Sequence, residues 1–158
     1  MIEQYEAKPF PNRLASPRPY GLALGHKHVP EMTRWAGLRT RPLFMPVVAN
    51  FYKGLAVSVP LHSSVFSGRD LHEALSERYA HERFVKTMPL SDAASLDGGY
   101  FDIQACNDTN RCEIFVFAGV DQAILLARLD NLGKGASGAA VQSMNVHLGL
   151  DEAMGLAG

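Results

Sequence analysis

The sequence predicts an α+β domain whose mixed, mostly antiparallel sheet is covered by helices on one face. Strand-like segments follow one another directly in the second half of the chain, at 100–106, 113–118 and 122–129. Their short connections favour antiparallel neighbours. Helical patterns lie before and after this group, at 67–79 and 133–149, and the helices need the sheet to bury their apolar sides.

The composition indicates an ordinary globular protein. The 158 residues suffice for one domain or for a large part of a longer protein, and 47% of them are hydrophobic. A formal net charge of -1 gives no electrostatic reason to expect nucleic acid or an anionic membrane as a partner. No apolar run approaches the roughly 20 residues that span a bilayer, and the N-terminal residues lack a signal pattern. We therefore expect a cytoplasmic protein.

The first third of the chain predicts an extended arm and three short elements. Four prolines and little periodicity mark residues 1–19 as the arm. Leucines alternate with small residues and lead into a histidine pair, which predicts a strand over 20–28. A proline suited to a first helical turn predicts a helix over 30–37. A further apolar run predicts a strand over 43–49, with a proline marking an edge or a bulge.

The middle of the chain predicts a strand, a capped helix and another strand. The strand at 54–61 carries four apolar residues on one face, so we expect it to be half-buried. Ser67 is a suitable helix cap, with Asp70 as the acid of a capping box. A strand is expected at 84–88. The apolar residues of the first strand are Leu55, Val57, Val59 and Leu61.

The terminal helix, 133–149, has a front half rich in glycine, alanine and serine. Such small residues let another backbone approach closely. Ala140, Met144 and Leu148 follow helical spacing, and Gly149 is a natural stop.

The histidine pair His26-x-His28 is the leading candidate for chemistry. Residues two apart in the predicted strand share a face, so both imidazoles should project to the same side. Lys27 and Glu31 lie nearby and can tune imidazole protonation near neutral pH. A metal site needs three or four ligands, and the other histidines do not obviously converge on this pair. The pattern therefore favours acid–base chemistry over metal binding, although a solvated strand end is the simpler alternative.

Two further segments can bind anions. Gly133-Lys134-Gly135 precedes a helix, where backbone N–H groups and a lysine favour phosphate, but a tight turn explains the same residues. Lys53 lies in a loop between two strands and can bind a carboxylate or a phosphate, or can simply be solvated.

Cys106 and Cys112 flank a predicted turn. A cytoplasmic location favours two semi-buried thiols over a disulfide, and two cysteines at this spacing without a second pair are a weak signal for zinc.

Three motifs together resemble the C-terminal domain of the N-acetyl-γ-glutamyl-phosphate reductase family, in its shorter, type 2 form. The first is H-K-H-V-P-E-M at 26–32. The second is F-M-P-V-V-A-N-F-Y-K-G at 44–54. The third is D-N-L-G-K-G-A-S-G-A-A-V-Q-S-M-N at 130–145. The resemblance covers nearly the whole chain.

The resemblance implies a fold and a reaction. The fold is similar to the C-terminal domain of glyceraldehyde-3-phosphate dehydrogenase. The reaction is a reductive dephosphorylation, in which a thiolate displaces phosphate from N-acetylglutamyl phosphate and NADPH reduces the thioester to an aldehyde. Family members carry the cysteine nucleophile and most of the NADP site in a preceding domain that this sequence does not contain. The nucleophile is not transferred to either cysteine of this chain.

The resemblance also assigns roles to individual residues. A histidine would activate the thiol and manage protons, with His28 favoured over His26. Substrate binding is assigned to Lys27, Glu31, Asn50 and Lys53. Asp130-Asn131 would approach the nicotinamide carboxamide. Cofactor binding is assigned to Asn131, Gly133, Lys134 and Gly135, and no metal is expected.

We therefore expect residues 20–158 to form a substrate-binding and dimerisation domain, assembled as a homodimer or homotetramer. Its terminal helix should face the cofactor domain. Without that domain the helix should expose an apolar stripe through Ala136, Ala140 and Met144, or bury it in a dimer. The alternative is a non-catalytic binding or oligomerisation domain derived from the same family.

Overall fold

The computed structural model describes residues 16–62 and 66–158. It divides into two compact units, Met1–Tyr52 and Lys53–Gly158. Most of the predicted arm, 1–15, lies outside the described residues. The predicted domain boundary after residue 19 stays a prediction.

Within residues 16–52, the first unit contains two short strands and one helix. Strand β1 (Arg18–Pro19) pairs antiparallel with β2 (Val47–Val48). Helix α1 (His28–Trp35) lies between them in the sequence, and Gly37 follows it with a φ of +62°. Glycine is the residue that most easily adopts this left-handed conformation, which explains why the helix ends where the sequence predicts.

The predicted strand over 20–28 is wrong. Gly21 and Leu24 have φ values of +66° and +59°, and the Leu24 N–H donates to the Gly21 carbonyl at 3.0 Å. These left-handed residues fold the segment into a turn, because a strand requires extended backbone with negative φ. The strand predicted over 43–49 is reduced to β2.

The second unit is built on a four-stranded sheet in the order β3-β6-β5-β4. The first three strands are antiparallel, and β4 runs parallel to β5. The mixed, mostly antiparallel sheet and four of its predicted strands are therefore confirmed. Their bounds are β3 Leu55–His62, β4 Val85–Thr87, β5 Cys112–Ala118 and β6 Gln122–Leu129.

The strand predicted at 100–106 is wrong, because this segment forms consecutive turns. The Arg128 guanidinium donates to the Asp102 carbonyl at 2.8 Å and forms an ion pair with Glu113 at 2.8 Å. It also lies over the rings of Phe101 and Phe115. The Asp102 carbonyl is therefore bonded by a side chain of the sheet and not by the backbone of a paired strand.

Both helical segments of the second unit pack on one face of the sheet, as the sequence predicts. Helix α2 (Gly68–Tyr79) begins with the expected capping box: the Asp70 N–H donates to Ser67 Oγ, and the Ser67 N–H donates to the Asp70 carboxylate. A Cβ at Gly68 would lie 2.5 Å from that of Ala118. A π-helical turn (Gly133–Ser137) leads into helix α3 (Gly138–His147), and Gly135 approaches Leu129 on the same face.

The core of the second unit is centred on β5, where Phe115 and Val116 are fully buried.

In the edge strand β3, the alternating pattern of the sequence is confirmed, but the expected burial of its apolar residues is not. Leu55, Val57 and Val59 are 41%, 48% and 39% exposed. The apolar row of β3 is therefore available for contact with another surface.

The π-helical turn and helix α3 also carry an exposed row, Ala136 in the turn and Ala140 and Met144 in the helix, as expected. The opposite side of α3 is tied to the chain end: the Asn145 side-chain amide donates to the carbonyls of Glu152 and Met154. In the described segments 16–62 and 66–158, no helix has the length and apolar character needed to cross a membrane.

The first prediction concerns Gly138, the first residue of α3. A Cβ there would lie 2.2 Å from Asn110 Oδ1 and 3.0 Å from the backbone of Gly133. We expect Gly138→Ala to lower the free energy of unfolding by about 1 to 3 kcal/mol, since this overpacking exceeds the helix-propensity gain of alanine. Urea unfolding followed by circular dichroism measures it, with Ser143→Ala on the exposed side of the same helix as control. Equal stability of the two variants would contradict the close packing.

Candidate functional site

A buried carboxylate organises the cluster of candidate residues in the second unit. Asp130 follows β6 and is 2% exposed. Its Oδ1 accepts hydrogen bonds from the N–H groups of Leu132 and Gly133 at 2.8 and 3.0 Å, and its Oδ2 accepts one from the Asp108 N–H at 2.9 Å. The carboxylate therefore joins the start of the π-helical turn to the loop before β5.

Lys53 completes this cluster. Its Nζ lies 3.6 Å from Asp130 Oδ2 and also contacts the carboxylate of Asp108. The hydrogen bond to Asp108 is the main cause that raises the pKa of Lys53. Burial works to raise the pKa of Asp130, but the backbone N–H bonds and Lys53 outweigh it, so that pKa is lowered. Both groups are consequently charged at neutral pH.

Asn131, the predicted nicotinamide contact, is held by the backbone of a different loop. Its Oδ1 accepts a hydrogen bond from the Gly54 N–H at 2.7 Å. Gly54 has a φ of +119°, and a Cβ there would lie 3.2 Å from the Ile103 carbonyl. Asn107 donates to the Lys53 carbonyl at 3.0 Å and so fixes the residue before this glycine.

The predicted phosphate loop, Gly133-Lys134-Gly135, is occupied by groups of the chain itself. The Gly133 N–H donates to the Asp130 carboxylate, and the Gly135 N–H donates to the Asp130 carbonyl at 2.8 Å. Lys134 Nζ donates to Gln142 Oε1 at 2.6 Å. An internal anion thus fills the position that the sequence suggested for an external one. Cofactor binding by these three residues stays a prediction.

The two histidines lie together in the first unit, although on a turn and a helix start rather than on a strand. Their ring centroids are 4.9 Å apart. His26 Nδ1 accepts a hydrogen bond from the His28 N–H at 3.3 Å, and the His26 ring makes edge contacts with Tyr20 and Phe44. His26 is therefore held among aromatic rings, whereas His28 is exposed.

The other predicted substrate contacts of the first unit are exposed. Lys27 directly precedes α1, and Glu31 lies in the first turn of this helix. Asn50 follows β2 in a bend. Their predicted roles stay predictions.

Neither cysteine has the environment of a nucleophile. Cys106 is fully buried, and burial raises the pKa of its thiol to about 11. Burial also raises the pKa of Cys112. Both thiols are free, and Cys112 is half-buried as expected, whereas Cys106 is buried more deeply than the expected semi-buried thiol. A reactive cysteine needs an electropositive and accessible environment that lowers its pKa, so these two do not qualify. Among the described residues, no group of three or more His, Cys, Asp and Glu side chains is placed to hold a metal ion.

Sequence reasoning missed the structural role of Asp130 and the part played by Gly54. A signal existed for Asp130: an aspartate directly after a strand and before a glycine-containing helix start is typical of a cap that accepts backbone N–H bonds. No comparable signal exists for Gly54, because its partner Asn131 lies 77 residues further along the chain.

The second prediction tests the charge of Asp130. Asp130→Asn removes an acceptor and the ion pair, so we expect a loss of about 2 kcal/mol in the free energy of unfolding at pH 7. Because the folded-state pKa of Asp130 is lowered, its contribution is present above the unfolded pKa of about 3.9 and is lost as pH falls through the folded value. The difference from the unaltered chain should therefore shrink below about pH 4.

Urea unfolding between pH 3 and pH 7 measures this difference. The control is Asp108→Asn, because this side chain is 82% exposed and contacts Lys53 from the solvent side. Its substitution should change stability little. A pH-independent deficit in Asp130→Asn would show that the charge is not what stabilises the cluster.

Comparison with known proteins identifies the family. The model of the semialdehyde dehydrogenase dimerisation domain matches residues 3–131. The chain is 47% identical to N-acetyl-gamma-glutamyl-phosphate reductase 2 of a Nostoc species over 144 residues, which are 87% of this chain and 45% of that protein. It is 41% identical to the N-acetyl-gamma-glutamyl-phosphate reductase of Burkholderia cenocepacia over 94% of this chain and 49% of that protein.

A third relative, the N-acetyl-gamma-glutamyl-phosphate reductase of Mesorhizobium japonicum, is 42% identical over 95% of this chain and 50% of its own length. The chain thus spans about half the length of the curated relatives that it matches. The family model covers most of the chain, and the sheet has the mixed architecture that this resemblance implied. This chain belongs to the semialdehyde dehydrogenase dimerisation-domain family.

Proposed function

We propose that this chain is the substrate-binding and dimer-forming part of an NADP-dependent N-acetyl-γ-glutamyl-phosphate reductase of arginine biosynthesis, located in the cytoplasm. The observation that carries the proposal is that the structure gives two of the sequence motifs an arrangement suited to this reaction. The adjacent imidazoles of the histidine motif offer acid–base chemistry. The Asp130-Asn131 motif presents an oriented carboxamide. When bound, NADP(H) supplies the hydride.

In this proposal the two imidazole rings of the histidine motif have different roles. His28 is exposed at the start of α1 and acts as the general acid–base group. His26 supports it through the bond from the His28 N–H and through its contacts with Tyr20 and Phe44. The substrate contacts proposed nearby are Lys27, Glu31 and Asn50.

Lys53 has a different role from a simple anion receptor. It already faces the carboxylates of Asp108 and Asp130. A substrate carboxylate or phosphate can therefore reach it only by displacing Asp108, which is the exposed member of the pair. Lys27, which is exposed before α1, is the more accessible positive charge.

Two exposed apolar surfaces fit two partners. The row of Leu55, Val57 and Val59 on β3 fits a second copy of the chain, which agrees with the dimerisation-domain family. The small-residue side of α3 fits a nucleotide-binding domain that must approach Asn131 closely. The proposed assembly is a homodimer, or a homotetramer made of two such dimers.

The third prediction tests the reaction. We expect no turnover by the 158-residue chain, because both of its thiols have raised pKa values. A chimaera that joins the first half of the Nostoc relative to this chain should reduce NADP⁺ when N-acetylglutamate semialdehyde and phosphate are present. Its activity should survive Cys112→Ala and fall by about 10²- to 10⁴-fold in His28→Ala. His81→Ala, at an exposed position after α2, is the control.

Two outcomes would contradict the proposal. One is a folded chimaera without activity, which would favour a non-catalytic oligomerisation domain. The other is turnover by the isolated chain that disappears in Cys112→Ala, which would place the nucleophile in this chain.

The fourth prediction tests the dimer. Val57→Lys places an ammonium group in the middle of the exposed row on β3, and burying it against a second copy is unfavourable. We expect the variant to be monomeric at concentrations where the unaltered chain is dimeric, as measured by analytical ultracentrifugation. Val120→Lys is the control, since Val120 is fully exposed in the turn between β5 and β6. Dimerisation that is unchanged in Val57→Lys would move the interface away from β3.

A further inference from the structure

A hydrogen bond from Gly54 shows which end of the Asn131 carboxamide is the oxygen and which is the nitrogen. Oxygen and nitrogen of a carboxamide are distinguished through their hydrogen bonds. The Gly54 N–H can only donate, so the atom 2.7 Å from it must be the oxygen. Within the described part of the chain no hydrogen bond engages Asn131 Nδ2. The free end of this side chain is consequently its NH₂ group, a donor.

The backbone around Gly54 fixes this arrangement. A φ of +119° suits glycine, and the Ile103 carbonyl, the Gln104 side chain and the Asn107 amide wall the position at 3.2 to 3.3 Å. A side chain there would push the loop away and turn the N–H group from Asn131.

Both partners of this hydrogen bond are anchored to one carboxylate. Asp130 precedes Asn131 in the chain. Its carboxylate accepts hydrogen bonds from the N–H groups of Leu132 and Gly133, the two residues after Asn131. Lys53 precedes Gly54, and its Nζ lies 3.6 Å from Asp130 Oδ2. The two loops therefore cannot separate without breaking contacts to a buried charge.

We infer that Gly54 is a positioning residue, which turns the Asn131 NH₂ group outward so that the site reads a carbonyl oxygen. This inference deepens the proposed function and rests on it. In that function the oxygen belongs to the carboxamide of the nicotinamide ring. Asn131 presents the donor, and Gly54 prevents the amide from flipping to present its acceptor.

The structural arm of the test uses the 158-residue chain labelled with ¹⁵N and ¹³C. We expect a through-hydrogen-bond coupling between the Gly54 nitrogen and Asn131 Cγ. The coupling should disappear in Gly54→Ala while the amide spectrum of β5 and β6 is kept. Gly98→Ala is the control, because Gly98 also has a positive φ, +56°, but no atom within 4 Å of its Cβ position. A folded, unaltered chain without this coupling overturns the inference.

The functional arm uses the chimaera with the first half of the Nostoc relative. Gly54→Ala should lower kcat/KM for NADP⁺ by about 2- to 10-fold, the value of one neutral hydrogen bond. It should affect the thionicotinamide analogue less, because sulfur is a weaker acceptor than oxygen. Equal losses with both cofactors would overturn the assigned donor role even if the coupling is present. An inactive unaltered chimaera with an intact coupling would instead count against the proposed function alone.

Discussion

The buried carboxylate of Asp130 is the interaction on which the second unit's candidate site depends. It accepts hydrogen bonds from backbone N–H groups on both sides of itself in the sequence, at Asp108 and at Leu132 and Gly133. It also lies 3.6 Å from the Lys53 ammonium. Burial of a carboxylate is unfavourable unless such bonds satisfy it, so the loops that provide them are held in place by the same free energy.

This fixed anion changes how the glycine-rich helix start can work. A helix N-terminus attracts negative charge, and in many proteins an external phosphate provides it. Here Asp130 provides it, and Lys53 balances the charge. The small residues that follow can instead allow another backbone to approach closely, since Ala136 in the π-helical turn and Ala140 in α3 are exposed. The site thereby presents a rigid carboxamide at Asn131 rather than a bare cluster of N–H groups.

Regular patterns predicted the parts of the fold whose partners are local or repeated. The alternation in β5 and β6 and the capping box of α2 are examples, because each follows from residues a few positions apart. The segments 20–28 and 100–106 were predicted wrongly for two reasons. In the first, Gly21 permits a left-handed turn, and Leu24 adopts a left-handed conformation that is uncommon for leucine and that the alternating pattern does not indicate. In the second, the Arg128 guanidinium bonds the Asp102 carbonyl, which in a strand would bond to a neighbouring backbone.

The candidate site was predictable in its identities but not in its geometry. Motif residues such as His28 and Asn131 could be selected from the sequence because their chemical types suit the reaction. The orientation of Asn131 could not, because it is set by Gly54, which is distant in sequence. The internal pairing of Lys53 likewise depends on Asp108 and Asp130, which only the folded chain brings to it.

The most direct test of this account is a ¹³C NMR titration of the Asp130 carboxyl group in the folded chain. We predict that the pKa of this carboxyl group lies below the ordinary aspartate value of about 3.9. The amide resonances of Asp108, Leu132 and Gly133 should follow the same titration, because their N–H groups donate to this carboxylate. An ordinary or raised pKa, or amides that do not respond, would contradict the claim that Asp130 holds the site together.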